Sequence, residues 1–244
     1  IFEYKSKSMS IASIKTTLHD LADVNKAKIL SRYFKTGKGE YGEGDQFLGI
    51  TVPNQRLVAK EFYQDISLEE IKDLLSFDLH EYRLTALLML VSKYEKTKDA
   101  NVAKELVDFY LSQTSRINNW DLVDTSCHKI LGHYAFHHNK EDILYDLANS
   151  TDLWEKRIAV VSTWYYIRKK TLDIVPEIVE INLNHPHDLM HKANGWMLRE
   201  MGKKDDEKLI HFLDEYALKL PRTTLRYAVE KIDPALKDYY MKLK

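Results

Sequence analysis

Apolar residues recur every three or four positions along most of the chain, and nowhere do they alternate with polar ones between turn signals. Leu84, Leu87, Leu88 and Val91 form one stripe, and Val123, Cys127, Ile130, Leu131 and Tyr134 form another. This period places apolar side chains on one face of a helix. Five of the eight glycines (Gly37, Gly39, Gly42, Gly44 and Gly49) fall in one short stretch, so nearly everything after position 53 can be helical without a glycine penalty. Pro53 suits the first turn of a helix, where its missing N–H needs no partner. Ser67-Leu-Glu-Glu70 reads as a capping box ahead of Ile71, Leu74 and Leu75. Pro176, Pro186, Pro221 and Pro234 are spaced as helix starts or inter-helix turns. The pattern predicts an all-α fold.

A weak repeat refines that expectation. Asp78-Leu-His-Glu-Tyr-Arg83, Asp152-Leu-Trp-Glu-Lys-Arg157 and Asp188-Leu-Met-His-Lys-Ala193 each read as a capping Asp followed by an apolar helix start. They lie 74 and 36 residues apart, and Asn118-Asn-Trp-Asp-Leu-Val-Asp124 falls where a further unit belongs. A period near 36 residues predicts a HEAT-like α–α superhelical solenoid of about six helix pairs, with a concave face for an extended ligand. An irregular helical bundle is the alternative. Residues 10–244 are read as one such domain, and residues 1–9, ahead of Ser10, as a tag or disordered leader with Met9 as a candidate start.

Composition narrows the class. With 44% hydrophobic and 30% charged residues the chain can bury a core and remain soluble. No apolar run approaches the roughly 18 residues of a membrane span. A single cysteine, Cys127, excludes an internal disulfide and fits a reducing, cytoplasmic setting. The formal net charge of −1 is low for a nucleic-acid binder, although it can conceal a one-sided basic surface.

Candidate chemistry is sparse. Trp120 and Asp124 are four apart and share a helix face, an aromatic ring beside a carboxylate that suits stabilisation of a cation. Asn118 or Asn119 can cap that helix. The plainer reading is a core tryptophan and a capping or paired aspartate. Trp154 precedes Arg157 by three, and Trp196 precedes Arg199 by three. Such arginines could bind phosphate and such tryptophans could stack on a sugar or base, or each pair could be an ion pair beside a core aromatic. His133/His137 and His187/His191 have helical metal-ligand spacing, but neither carries the glutamate of HExxH and no cysteine cluster supports them. Cys127 and His128 are adjacent, and so point in different directions on a helix rather than forming a dyad.

Tyr33-Phe-Lys-Thr-Gly-Lys-Gly-Glu-Tyr-Gly-Glu-Gly-Asp-Gln-Phe-Leu-Gly-Ile50 with Val52-Pro53, Trp120-Asp-Leu-Val-Asp124, Trp154-Glu-Lys-Arg157 and Gly195-Trp-Met-Leu-Arg-Glu200 together resemble the AlkD-like DNA alkylation repair family, in the same order and over nearly the whole chain. The resemblance implies a HEAT-like fold and hydrolysis of the N-glycosidic bond of N3- or N7-alkylated purines in duplex DNA. It implies no metal and no cofactor, and a monomer with no obligatory protein partner. By motif, Asp124 is the catalytic carboxylate and Trp120 its aromatic partner. Arg157 completes the catalytic set by holding a backbone phosphate, while Tyr33, Trp196 and Arg199 are expected to contact DNA. Glu40, Glu43 and Asp45 depart from what a DNA-facing loop needs, so the glycine-rich stretch is expected to be a connecting loop turned away from the duplex. It lacks the Gly-Lys-Ser/Thr of a phosphate-cradling loop. A non-catalytic HEAT-type module that binds DNA structures or a protein is the alternative function.

Overall fold

The computed structural model describes residues 11–243, and the proposed leader at 1–9 lies outside the described residues. The fold is all-α: among the described residues the only β-type pairing is an isolated bridge between Gln46 and Leu79. The helices group into two compact units, one ending at Leu122 and the other starting at Val123.

The first unit holds α1 (Ile11–Asp20), α2 (Val24–Tyr33), α3 (Val52–Phe62), α4 (Leu68–Ser76), α5 (His80–Lys96) and α6 (Ala100–Ser112). Helix α5 is its centre, with α3, α4 and α6 packed on it. Thirteen of its 17 residues are buried, so it has no solvent face to speak of, as expected of a helix covered on all sides. In contrast, α2 buries no residue fully and rides at the edge. Pro53 occupies the first turn of α3, and Ser67 and Glu70 form the predicted capping box at α4.

The second unit repeats the scheme. Its helices are α8 (His133–His138), α9 (Asp142–Ala148), α10 (Leu153–Lys169), α11 (Ile174–Ile181), α12 (Asp188–Gly202), α13 (Asp206–Tyr216), α14 (Arg222–Ala228) and α15 (Pro234–Lys242). Helix α10 packs on α12 and α12 on α14, while α9 and α11 flank α10 and α13 flanks α12. This stacking of helix on next-but-one helix is the arrangement an α–α solenoid uses within a run of repeats. Gly195 permits the close approach of α12 and α14, since a Cβ there would lie 2.6 Å from the Thr224 carbonyl oxygen and 2.5 Å from the Tyr227 Cβ.

The repeat motifs are less uniform than their spelling. Asp152 caps α10, accepting from the N–H groups of Trp154 and Glu155. Asp78 and Asp188 do not cap. Leu79 stands at the cap position of α5 without a side-chain bond, and Asp78 instead faces Arg116 at 3.3 Å. At α12 the cap is His187, whose Nδ1 accepts from the Leu189 N–H, and Asp188 pairs with Lys192. The competing side chains sit one residue earlier or across the turn, which the six-letter pattern does not encode.

Candidate functional site

Helix α7 (Trp120–Cys127) carries both Trp120 and Asp124, one turn apart. Asn119 supplies the local start signal, its Oδ1 accepting from the Trp120 N–H at 2.8 Å. After Cys127 the chain passes through a π-helical stretch, His128–Gly132, before α8. Such a stretch adds a residue to one turn, so it re-aims the side chains that follow, and it recurs at functional positions. Gly132 lets this stretch approach α10, because a Cβ there would lie 2.4 Å from the Ser162 carbonyl oxygen.

Around Trp120 the first unit builds an aromatic stack. Phe34 lies parallel to Trp120, with ring centroids 5.2 Å apart and planes 9° apart. Tyr33 meets the same indole edge-on at 6.0 Å and is 63% exposed, so it offers its ring to solvent beside Trp120. Phe47 also stacks on Phe34, at 5.0 Å. The glycine-rich loop therefore contributes core rather than only connection. Its acidic side chains fold back on the protein: Glu40 accepts from the Gly37 N–H, Glu43 from the Gly39 N–H, and Asp45 is turned inward. Glu81 on α5 anchors the end of the loop by accepting from the N–H groups of Leu48, Gly49 and Ile50 at 2.9, 2.7 and 3.1 Å.

In the second unit, Asp124 is gripped by Arg157. Arg157 Nε donates to Asp124 Oδ1 at 3.0 Å and Nη2 to Oδ2 at 2.8 Å, the paired geometry that fixes a carboxylate in one plane. A third donor, Nη1, reaches the Leu189 carbonyl oxygen at 2.5 Å. The Arg157 side chain is only 5% exposed, whereas Asp124 keeps 17% of its surface open. Arg157 is therefore not presented to solvent as a phosphate ligand would be. Its partner Trp154 is buried. Arg199 is likewise committed to carboxylates, with Nη1 on Glu230 and Nη2 3.3 Å from Glu200. Both arginines expected to contact phosphate thus make intramolecular ion pairs, with Asp124 and Glu230 drawn from distant positions in the sequence and Glu200 adjacent to Arg199.

Trp196 is half-buried and meets Trp164 at 5.2 Å, and Trp164 meets His128 at 4.7 Å. This row of rings spans α12, α10 and the π stretch. Trp164 does not stand out in the sequence, and His128 does so only as the neighbour of Cys127. Only the seven-residue step from Arg157 to Trp164 on one helix hinted at a shared face. Burial, then Lys129 and Arg168, lower the His128 pKa to about 4, so its ring is neutral near pH 7. Burial, followed by the Asp124 charge, pushes the Cys127 thiol far above its ordinary range, so Cys127 is a core residue and no nucleophile.

The histidine pairs noted for their spacing have other partners. His133 and His137 pack ring to ring at 4.4 Å, and His137 Nε2 lies 2.9 Å from the Tyr165 hydroxyl. His187 caps α12, and His191 Nε2 lies 2.6 Å from the His185 carbonyl oxygen.

The chain matches the family described as DNA alkylation repair enzyme over residues 14–232. It belongs to that family. A solved structure described as a predicted DNA alkylation repair enzyme from Enterococcus faecalis shares the fold, with a TM-score of 0.67 at 16% identity. The likeness covers 87% of this chain and 97% of that one. No curated protein matches the sequence. Among the described residues no helix is long and apolar enough to cross a membrane.

Proposed function

We propose that this protein is a DNA glycosylase that hydrolyses the N-glycosidic bond of N3- or N7-alkylated purines in duplex DNA, as a monomer acting in base excision repair in the cytoplasm. The observation that supports this most is the fork of Arg157 on Asp124, one turn after Trp120, in a chain of the alkylation repair family.

The chemistry suits so small a set of groups. An alkylated purine already carries a positive charge, so the electron pair of the breaking C1′–N bond neutralises the departing base and no acid is needed. Positive charge moves to the deoxyribose, giving an oxocarbenium-like state, and a water forms the new C1′–O bond while its proton passes to solvent. In this reading Asp124 stabilises that cation, and because Arg157 fixes the carboxylate beforehand no reorganisation is required during reaction. Trp120 and Tyr33 of the first unit offer rings for the sugar and bases, and Trp196 of the second unit offers one of its own. Arg157 acts in this reading as a positioning residue. The backbone charge must then be met by other lysines and arginines.

A second reading, a non-catalytic module that binds DNA, draws on the net charge of −1 and on the pairing of both Arg157 and Arg199 with carboxylates. Single-turnover release of 7-methylguanine and 3-methyladenine from methylated duplex decides between them. Release that depends on Asp124 supports the glycosylase, and binding without release of either base supports the module.

A further inference from the structure

His80 opens α5 and is 2% exposed, yet both of its ring nitrogens face carboxylates. Nδ1 lies 3.2 Å from Asp45 Oδ2, and Nε2 lies 2.8 Å from Asp121 Oδ2. An ionised carboxylate only accepts, so both contacts are hydrogen bonds only if both nitrogens carry protons. The ring also packs against two aromatic rings, Phe34 at 4.9 Å and Phe47 at 4.7 Å. Arg83, one turn further along α5, completes the charge balance: Nη2 is 2.5 Å from Asp45 Oδ1, and Nη1 bonds Asn118. Two cations and two anions are thus buried together. The remaining charged groups nearby are Glu81, whose carboxylate is turned to the backbone of Leu48–Ile50, and Lys26 of α2. Lys26 and His80 line the same cavity of about 130 Å³.

Every route from this cluster leads to Trp120. Asn119 joins it from one side, its Nδ2 donating to Asp45 at 3.2 Å while its Oδ1 holds the Trp120 N–H. Asp121 joins it from the other, one oxygen on His80 and the other accepting from the Leu122 N–H at 2.8 Å. The indole itself is stacked on Phe34, which in turn packs on His80. Backbone before, backbone after and ring face are all fixed by groups that converge on one imidazole.

We propose that His80, as an imidazolium held between Asp45 and Asp121, is the positioning residue that sets the orientation of Trp120 and so of the aromatic surface offered to DNA. A neutral imidazole donates from one nitrogen only, so one carboxylate would meet a lone pair and withdraw. Either withdrawal frees one side of Trp120. Burial alone would depress the His80 pKa, but the Asp121 and Asp45 carboxylates outweigh it and raise the value to about 9, with Arg83 opposing. Asp45 is correspondingly lowered, its own burial outweighed by His80 and Arg83.

Part of the test rests on the glycosylase reading and part does not. Ring ¹⁵N spectra of histidine-labelled full-length protein at pH 7.5 should show one histidine with both nitrogens protonated, absent in His80→Gln and titrating near pH 9. The emission of Trp120, taken as wild type minus Trp120→Phe, should change over the same range. In His80→Gln it should be shifted at pH 7.5 to the alkaline form. Excision by His80→Gln should fall by on the order of tenfold to a hundredfold, the cost of a misplaced group, while duplex affinity changes much less. A neutral His80 ring at pH 7.5 overturns the proposal, as does Trp120 emission indifferent to both pH and the substitution. If His80→Gln fails to fold, the wild-type titration still decides. If the wild type excises nothing, the spectra still test the positioning role, and only the glycosylase reading fails.

Discussion

Asp124 and Arg157 are 33 residues apart in sequence and share two hydrogen bonds, at 3.0 and 2.8 Å, with the arginine nearly buried and the aspartate partly open. Arg157 thus holds the Asp124 carboxylate in one plane from the buried side.

Asp124→Asn keeps the size of the side chain and removes its charge. If Asp124 stabilises the sugar cation, single-turnover excision of 7-methylguanine should fall by about a hundredfold, the usual cost of one preorganised electrostatic contact. Binding to intact alkylated duplex should change little, because the charge it meets arises only as the bond breaks. Excision at the wild-type rate would remove Asp124 from the chemistry.

Arg157→Ala separates the two possible duties of that arginine. A phosphate ligand contributes about one unit to the slope of log affinity against log salt on duplex DNA. An arginine committed to Asp124 contributes none, so the slope should stay at its wild-type value while excision drops. The variant should also lose about 3 kcal/mol of stability, since it leaves a mostly buried carboxylate without its partner. A shallower slope in chemical-shift or anisotropy titrations would return Arg157 to the phosphate role.

Stability should peak near neutral pH, and two histidines set the flanks. His80 has a raised value in the folded state, so its contribution is complete below the unfolded value of 6.5 and is lost as pH rises through about 9. His128 has the opposite sign. Its folded value of about 4 means the unfolded chain binds the extra proton first, so stability falls as pH drops from 6.5 towards 4. Thermal unfolding across pH 4–10 should therefore show a maximum near 6.5, and His80→Gln should flatten the alkaline flank. An alkaline flank unchanged in His80→Gln would contradict the assignment.

Gly195→Ala tests the packing of α12 on α14. The added Cβ would meet the Thr224 carbonyl oxygen at 2.6 Å, and backbone cannot yield as a side-chain tip does. Overpacking of this kind costs about 1–3 kcal/mol, read as a lower urea midpoint with an unchanged slope. A midpoint equal to wild type would show that the two helices can separate without cost.

The sequence by itself determined much of what depends on near neighbours, although the caps expected of Asp78 and Asp188 fell to Leu79 and His187. Helical period, the Ser67–Glu70 box, Pro53 in a first turn and the Asp152 cap involve groups within four residues of each other, and all stand in the structure. Ordered motifs around Trp120, Asp124 and Gly195 likewise carried the family. Tertiary structure alone decided the partners. Asp45 read as a loop acid and lies between His80 and Arg83; Arg157 read as a phosphate ligand and holds Asp124; Trp164 drew no notice, and with His128, weighed only as a dyad partner of Cys127, it extends the Trp196 row. A buried charge must find an opposite charge, but which one it finds depends on which helices are stacked against it, and that is settled only when the whole apolar surface of each unit is buried at once.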